Sequence, residues 1–100
     1  MFEIHQNVAG EVVVEGRLDA ANAARAQEFL DRTEGPCVID MSALEYISSA
    51  GLGVLLRTHK RLMSDSDGLR LVNVNSHIND IFSYSGFDKL FRIETADDGG

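Results

Sequence analysis

The chain is poor in the residues that most chemistry needs. It holds one cysteine, three histidines, and nine basic residues against sixteen acidic ones. A lone Cys37 excludes an intramolecular disulfide, and with Val38 and Ile39 beside it this thiol reads as buried and structural. The scattered histidines and the single cysteine offer no metal-ligand spacing. Binding to nucleic acid or to an anionic membrane surface usually begins with a basic patch, and a formal net charge of −7 runs the other way. A basic partner protein is easier to accommodate. No apolar run approaches the roughly 20 residues of a membrane span. Met1 to Gln6 lacks a basic segment followed by an apolar one, so no secretory signal is expected and a cytoplasmic location is. The enzyme motifs are missing too. Gly51-Leu52-Gly53 has Leu56 where a dinucleotide fingerprint needs its third glycine. There is no Walker motif and no Gly-x-Ser-x-Gly nucleophile elbow. The expectation is a protein that is not an enzyme and uses no metal and no cofactor.

What is present suits a small globular domain. Apolar residues make up 44% and charged residues 25% of 100 residues, enough for one modest core. Phe2 to Asn7 and Glu11 to Leu18 read as strands, with Ala9-Gly10 as a hairpin turn. Asp19 stands where a helix N-cap should, before an Ala-rich stretch with Ala23, Ala26, Phe29 and Leu30 on one face. Gly35-Pro36 ends that helix. Cys37 to Met41 reads as a central buried strand closed by Asp40 and followed by a connecting loop, Ser42 to Ile47. After Ser48-Ser49, the positions Leu52, Leu55, Leu56, His59, Leu62 and Met63 recur at helical spacing, with Arg57, Lys60 and Arg61 toward the other side. Leu69 to Val74 is a strand, and Ser76 caps a short helix carrying Ile78, Ile81 and Phe82. After the Ser85-Gly86 break, a turn over Phe87 to Leu90 leads into a last strand, Phe91 to Glu94. Strands separated by helices imply parallel crossovers. The expected fold is α/β: one domain over 1–96, a mixed sheet of four to five strands with helices mainly on one side, and a frayed tail at 97–100.

The segment Val38 to Leu56 resembles the signature of the STAS domain family, which includes the bacterial anti-sigma factor antagonists. The resemblance lies in an apolar strand ending in Asp40-Met41-Ser42, then Tyr46-Ile47, the serine turn Ser48-Ser49-Ala50-Gly51, and a helix of Val and Leu from Leu52. Upstream, Gly16-Arg17-Leu18-Asp19 is similar to the family element that precedes its first helix. Together with the element order, the likeness spans nearly the whole chain. It implies an anti-sigma factor antagonist in a partner-switching pathway. In that scheme a serine at the N-terminus of the second helix is phosphorylated by an anti-sigma factor that is also a GHKL-type serine kinase. A serine phosphatase removes the phosphate, and only the unmodified form binds. By motif position the serine is Ser49, with Ser48 as the alternative. The chain departs from the commoner family pattern in having Ser48, not Asp, immediately before it. The partner-binding surface implied is Asp19, Asp40, Ser48, Ala50, Gly51, Leu52 and Arg57, on a monomer or weak dimer. Other family roles are an accessory subunit of a lipid-transport complex and an output protein of a response-regulator phosphatase pathway that acts on no sigma factor.

Each site residue also has a plainer reading. Ser49 is a good N-cap, Asp19 a cap and Asp40 a strand terminator. Gly51 and Gly53 relieve crowding where the helix start meets the sheet, and Arg57, Lys60 and Arg61 form a solvated face. A phosphate at a helix N-terminus meets free N–H groups and the positive end of the macrodipole. Phosphorylation there is therefore expected to change affinity more than stability.

Overall fold

Period-two alternation of apolar residues in two short runs around a turn that opens on Asn7 produces the first hairpin. In the computed structural model, which describes residues 1–96, β1 (Phe2–Gln6) pairs antiparallel with β2 (Val12–Leu18). Asn7 closes the turn, its side-chain oxygen accepting from the backbone N–H groups of Ala9 and Glu11. Then follow α1 (Ala23–Leu30), β3 (Cys37–Ile47), α2 (Ser49–Leu62), β4 (Leu69–Val74), α3 (Ser76–Ser85), a 3₁₀ turn at Phe87–Lys89 and β5 (Arg92–Thr95). The sheet order is β1-β2-β3-β4-β5, parallel from β2 onward. Each crossover steps in the same direction, so the right-handed rule puts all three helices on one face. Burial agrees: Val12, Val14, Leu18, Cys37, Ile39, Met41, Leu69 and Leu71 are buried under the helices, whereas Val13, Glu15, Val38 and Asp40 on the other face are half-buried and Arg17, Ser42 and Arg70 are exposed. This is the expected α/β arrangement, with the sheet at five strands. The frayed tail expected at 97–100 lies outside the described residues. Among those residues, no helix is long and apolar enough to cross a membrane.

Several local expectations are corrected. The segment Ser42 to Ile47 is not a loop but the second half of an eleven-residue β3, paired in parallel with β2. Two register shifts against β2 insert extra residues into β3, so its buried positions run Met41, Leu44, Ile47 instead of alternating. Asp40 therefore does not terminate the strand. Asp19 does not cap α1, which starts four residues later behind Asn22; its carboxylate accepts instead from the Ala21 N–H and the Asn22 side chain. The first helix ends at Leu30, before Gly35-Pro36. The cap of α3 is Asn75, not Ser76, with its side chain accepting from the Ile78 N–H.

One buried polar contact fixes the far end of α2 to the sheet. The His59 side chain is 7% exposed. Its Nδ1 accepts from the Leu69 backbone N–H at 3.0 Å, and its ring meets Phe91 edge-on at 4.9 Å between centroids. Removing the acceptor strands a buried N–H, which costs about 1–3 kcal/mol. Replacing His59 with Leu is expected to lower stability by that amount in urea unfolding, and Tm by about 4–8 °C per kcal/mol for a chain of this size.

Candidate functional site

The parallel strands β2 and β3 end side by side, Leu18 opposite Ile47, and α2 begins directly on top of them. The Ser48 N–H donates to the Leu18 carbonyl at 3.0 Å. Its backbone is extended (φ −96°, ψ 176°), and its hydroxyl accepts from the Gly51 N–H at 3.4 Å, so Ser48 is the N-cap of α2. Ser49 is thereby released from capping. It is the first residue of the helix and exposed, with Ser48 and Ala50 half-buried on either side.

Gly51 faces inward. A β-carbon there would stand 2.6 Å from the Leu18 carbonyl oxygen and 2.7 Å from Ile47 Cγ1. Only a residue without a side chain lets the first turn of α2 sit this low on the strand ends. Gly53 is different and corrects the expectation of crowding against the sheet. The three atoms nearest to a β-carbon at that position all belong to the Arg57 guanidinium, the closest at 3.2 Å. Leu52 is buried at 7% exposure and belongs to the core rather than to a surface that a partner can touch.

Of the two acids, the structure brings only Asp19 to the serines, one residue beyond the Leu18 carbonyl that holds Ser48. Its carboxylate is half-buried and tied within its own loop, with Arg17 Nε at 3.9 Å. Asp40 sits mid-strand on the uncovered sheet face, where it accepts from the Ser42 N–H and the Asn73 side chain. At about 3.3 Å per residue it lies on the order of 20 Å from Ser48 along β3. The strand ends do converge, but Asp40 is not at one of them.

The apolar residues that lead into the serine turn divide between core and surface. Met41, Leu44 and Ile47 are buried. Tyr46 is half-buried, with the Arg17 guanidinium 4.5 Å above its ring. The basic ridge of α2 is not simply a solvated face. Arg61 donates to the Leu30 and Thr33 carbonyls at the end of α1, and Arg57 Nε donates to Gln27 Oε1 at 3.0 Å. Gln27 in turn donates to the buried Thr58 hydroxyl. Lys60 is exposed. Nothing in the spacing of the sequence announced Gln27 as a tie between α1 and α2.

At the opposite end of the sheet, a concavity of about 420 Å³ is lined by residues that include Val12, Phe29, Arg32, Thr33, Pro36 and Cys37. Burial pushes the Cys37 thiol up, against smaller opposing effects of a hydrogen bond with Thr33 and of the Arg61 charge. That favours the neutral thiol over the reactive thiolate. Among the described residues, no group of three or more His, Cys, Asp or Glu is placed to hold a metal ion.

A β-β-α-β-α-β-α-β chain with a serine turn seated on the ends of parallel strands defines a class, and comparison with known proteins agrees. Residues 1–98 match the STAS domain family, and the chain belongs to it. A relative from Bordetella bronchiseptica, described as the anti-sigma factor antagonist BtrV, is 34% identical over 84 residues, covering 80% of this chain and 72% of the relative. The crystal structure of an anti-sigma factor antagonist from Mycobacterium paratuberculosis superposes with a TM-score of 0.77 at 25% identity, over 98% of this chain and 88% of that one. The Bacillus cell fate determinant SpoIIAA in its phosphorylated form shares the fold, with a TM-score of 0.63 at 17% identity over 98% and 95% of the two chains.

The two glycines of the turn give opposite expectations. Changing Gly51 to Ala forces backbone movement and is expected to cost about 1–3 kcal/mol in chemical denaturation, as overpacking does. Changing Gly53 to Ala displaces only the end of a flexible arginine and removes a helix-interior glycine, so the same measurement is expected to show no loss or a gain of up to about 1 kcal/mol.

Proposed function

We propose that this chain is an anti-sigma factor antagonist: a binding module, not an enzyme, that acts in the cytoplasm and docks a GHKL-type serine-kinase anti-sigma factor on the surface around the start of α2. The observation that carries this reading is Ser49, exposed at the first helical position while Ser48 does the capping. A capping serine is spent on the fold. An uncommitted one can be offered to a kinase. That division of labour also favours Ser49 over Ser48 as the modified residue.

In the proposed cycle the partner kinase transfers the γ-phosphoryl of ATP to Ser49 Oγ, with ADP leaving and the hydroxyl proton passing to a base on the kinase. The new group carries about −1.5 to −2 charges at a spot flanked by Ser48, Ala50 and Asp19. A surface shaped for the small neutral hydroxyl then no longer fits, and the partner is released. A serine phosphatase restores the binding form. The family resemblance of the serine turn and the anti-sigma factor antagonists among the relatives support this reading. The placement of α2 supports the further point that the switch acts on affinity, because among the described residues the Ser49 side chain makes no hydrogen bond for a phosphate to break.

Intact-mass and peptide mass spectrometry of the protein from its native cells is expected to find phosphate on Ser49, absent in a Ser49→Ala strain. The Ser49→Ala protein should still capture its kinase, and Ser49→Asp should bind it about 10- to 100-fold more weakly, equivalent to about 1.4–2.8 kcal/mol, with an unchanged Tm. Phosphate on Ser48 alone, or a Ser49→Asp variant that melts well below wild type, would contradict the assignment. Capture of a transporter subunit in place of a kinase would point to the lipid-transport role.

A further inference from the structure

We propose that Arg57 is an intramolecular receptor for a phosphate on Ser49, held ready over Gly53 and tethered to α1 through Gln27. This rests on the phosphoserine reading above and adds to it a residue that the family signature does not contain.

Ser49, Gly53 and Arg57 follow one another at four-residue intervals on α2, so they form one row along the helix surface. Each interval rises about 6 Å. Helical side chains lean toward the N-terminus, and Arg57 does so: its Nη1 lies 3.2 Å from where a Gly53 β-carbon would stand, with Cζ and Nη2 at 3.8 Å. The guanidinium thus covers the row one turn before its own position and one turn after Ser49. A side chain at position 53 would hold it off the helix.

The orientation of the group matters as much as its place. Arg57 Nε is spent on Gln27 Oε1, which leaves the Nη1–Nη2 edge. Among the described residues, no carboxylate pairs with Arg57. A guanidinium edge matches two phosphate oxygens at once. The other two cations of the ridge do not compete, since Arg61 is committed to the Leu30 and Thr33 carbonyls and Lys60 stands about three turns, roughly 16 Å, along the helix from Ser49. A phosphoserine arm reaches farther than the hydroxyl it replaces, and the lean of Arg57 toward the N-terminus brings its guanidinium from Gly53 toward that arm. Capture by that edge would pin the phosphate flat along the exposed face of α2 while Nε keeps its bond to Gln27. The modified form would then present a fixed phosphate–arginine pair in place of a bare serine.

The test installs phosphoserine at position 49 by genetic encoding in the full chain and follows it by ³¹P NMR across pH. The second ionisation of a phosphoserine falls near pH 6. A neighbouring guanidinium favours the dianion, so Arg57→Gln is expected to raise that value by about half a unit, the size of an exposed ion pair. Arg57→Lys, which keeps the charge but loses the fork, should fall between the two. Lys60→Gln should leave the titration where it is. Superimposable curves for wild type, Arg57→Gln and Arg57→Lys in folded proteins would overturn the proposal, as would a shift in Lys60→Gln as large as that in Arg57→Gln. Because the phosphate is installed directly, these outcomes do not depend on a kinase. Absence of phosphate in native cells would instead sink the phosphosite reading.

Discussion

The contact on which the rest of this site depends is the seating of a helix on two strand ends. Ser48 donates its N–H to the Leu18 carbonyl, and the same carbonyl oxygen lies where a Gly51 side chain would be. One backbone oxygen thus sets both the height and the angle of the first turn of α2. Everything functional follows from that fixed height. Ser48 turns its hydroxyl back to cap the helix, Leu52 goes down into the core, and Ser49 is left facing out. The turn is part of the rigid frame, because β2 and β3 are interior strands of a five-stranded sheet. A loop serine would have no such defined presentation.

The other end of α2 is held by different means. His59 fixes it to the start of β4, and two arginines hold it to α1, Arg61 on the last carbonyls of that helix and Arg57 on Gln27. Arg61 adds a cation to carbonyls at the C-terminus of α1, and both arginines join the Gln27–Thr58 hydrogen bond in bridging the two helices. The two arginines are not equal in this. Arg61 donates to two backbone carbonyls, Leu30 at the end of α1 and Thr33 just beyond it, whereas Arg57 holds one side-chain amide that also bonds Thr58 and Asp31. Losing the Arg57 tie leaves Gln27 with its other two bonds, so this arginine can be recruited elsewhere at small structural cost.

Where residue periodicity is clean, the fold was legible. The α2 stripe, the Cys37 to Met41 run and the Phe2 and Ile4 alternation all indicate elements that the structure contains. The misreadings share one cause, an interruption of that period by backbone irregularity. In β3 two inserted residues turn alternation into spacings of three, which reads as a loop. In β4 Asn73 adopts φ 55° and shifts Val74 back to the buried face, though there the flanking leucines still marked a strand. Caps differ from expectation by one to three residues, because Asp19, Asn22, Asn75 and Ser76 are all residue types that cap helices well, and only geometry chooses among them. At the serine turn the motif located the region, while the division of roles between Ser48 and Ser49 needed the hydrogen bond. The Arg57–Gln27 tie has no sequence signal, because it joins positions thirty residues apart.

The corrected position of Asp40 changes the electrostatics of the turn. Had both acids stood beside the serines, a phosphate would have entered a cluster of negative charge and repulsion alone would have explained release. With Asp40 on the order of 20 Å away, beyond the Debye length of about 8–10 Å at physiological salt, its charge is screened from Ser49. Asp19 remains, but its carboxylate already receives two hydrogen bonds and faces Arg17, which offsets part of its field. A phosphate at Ser49 would therefore sit between one partly compensated acid and one uncompensated arginine. In such a setting the modified protein has little reason to unfold or distort. In the proposed cycle, discrimination would then come from shape and charge at the docking face itself, where a partner built against a bare hydroxyl would meet a group it has no room and no counter-charge for.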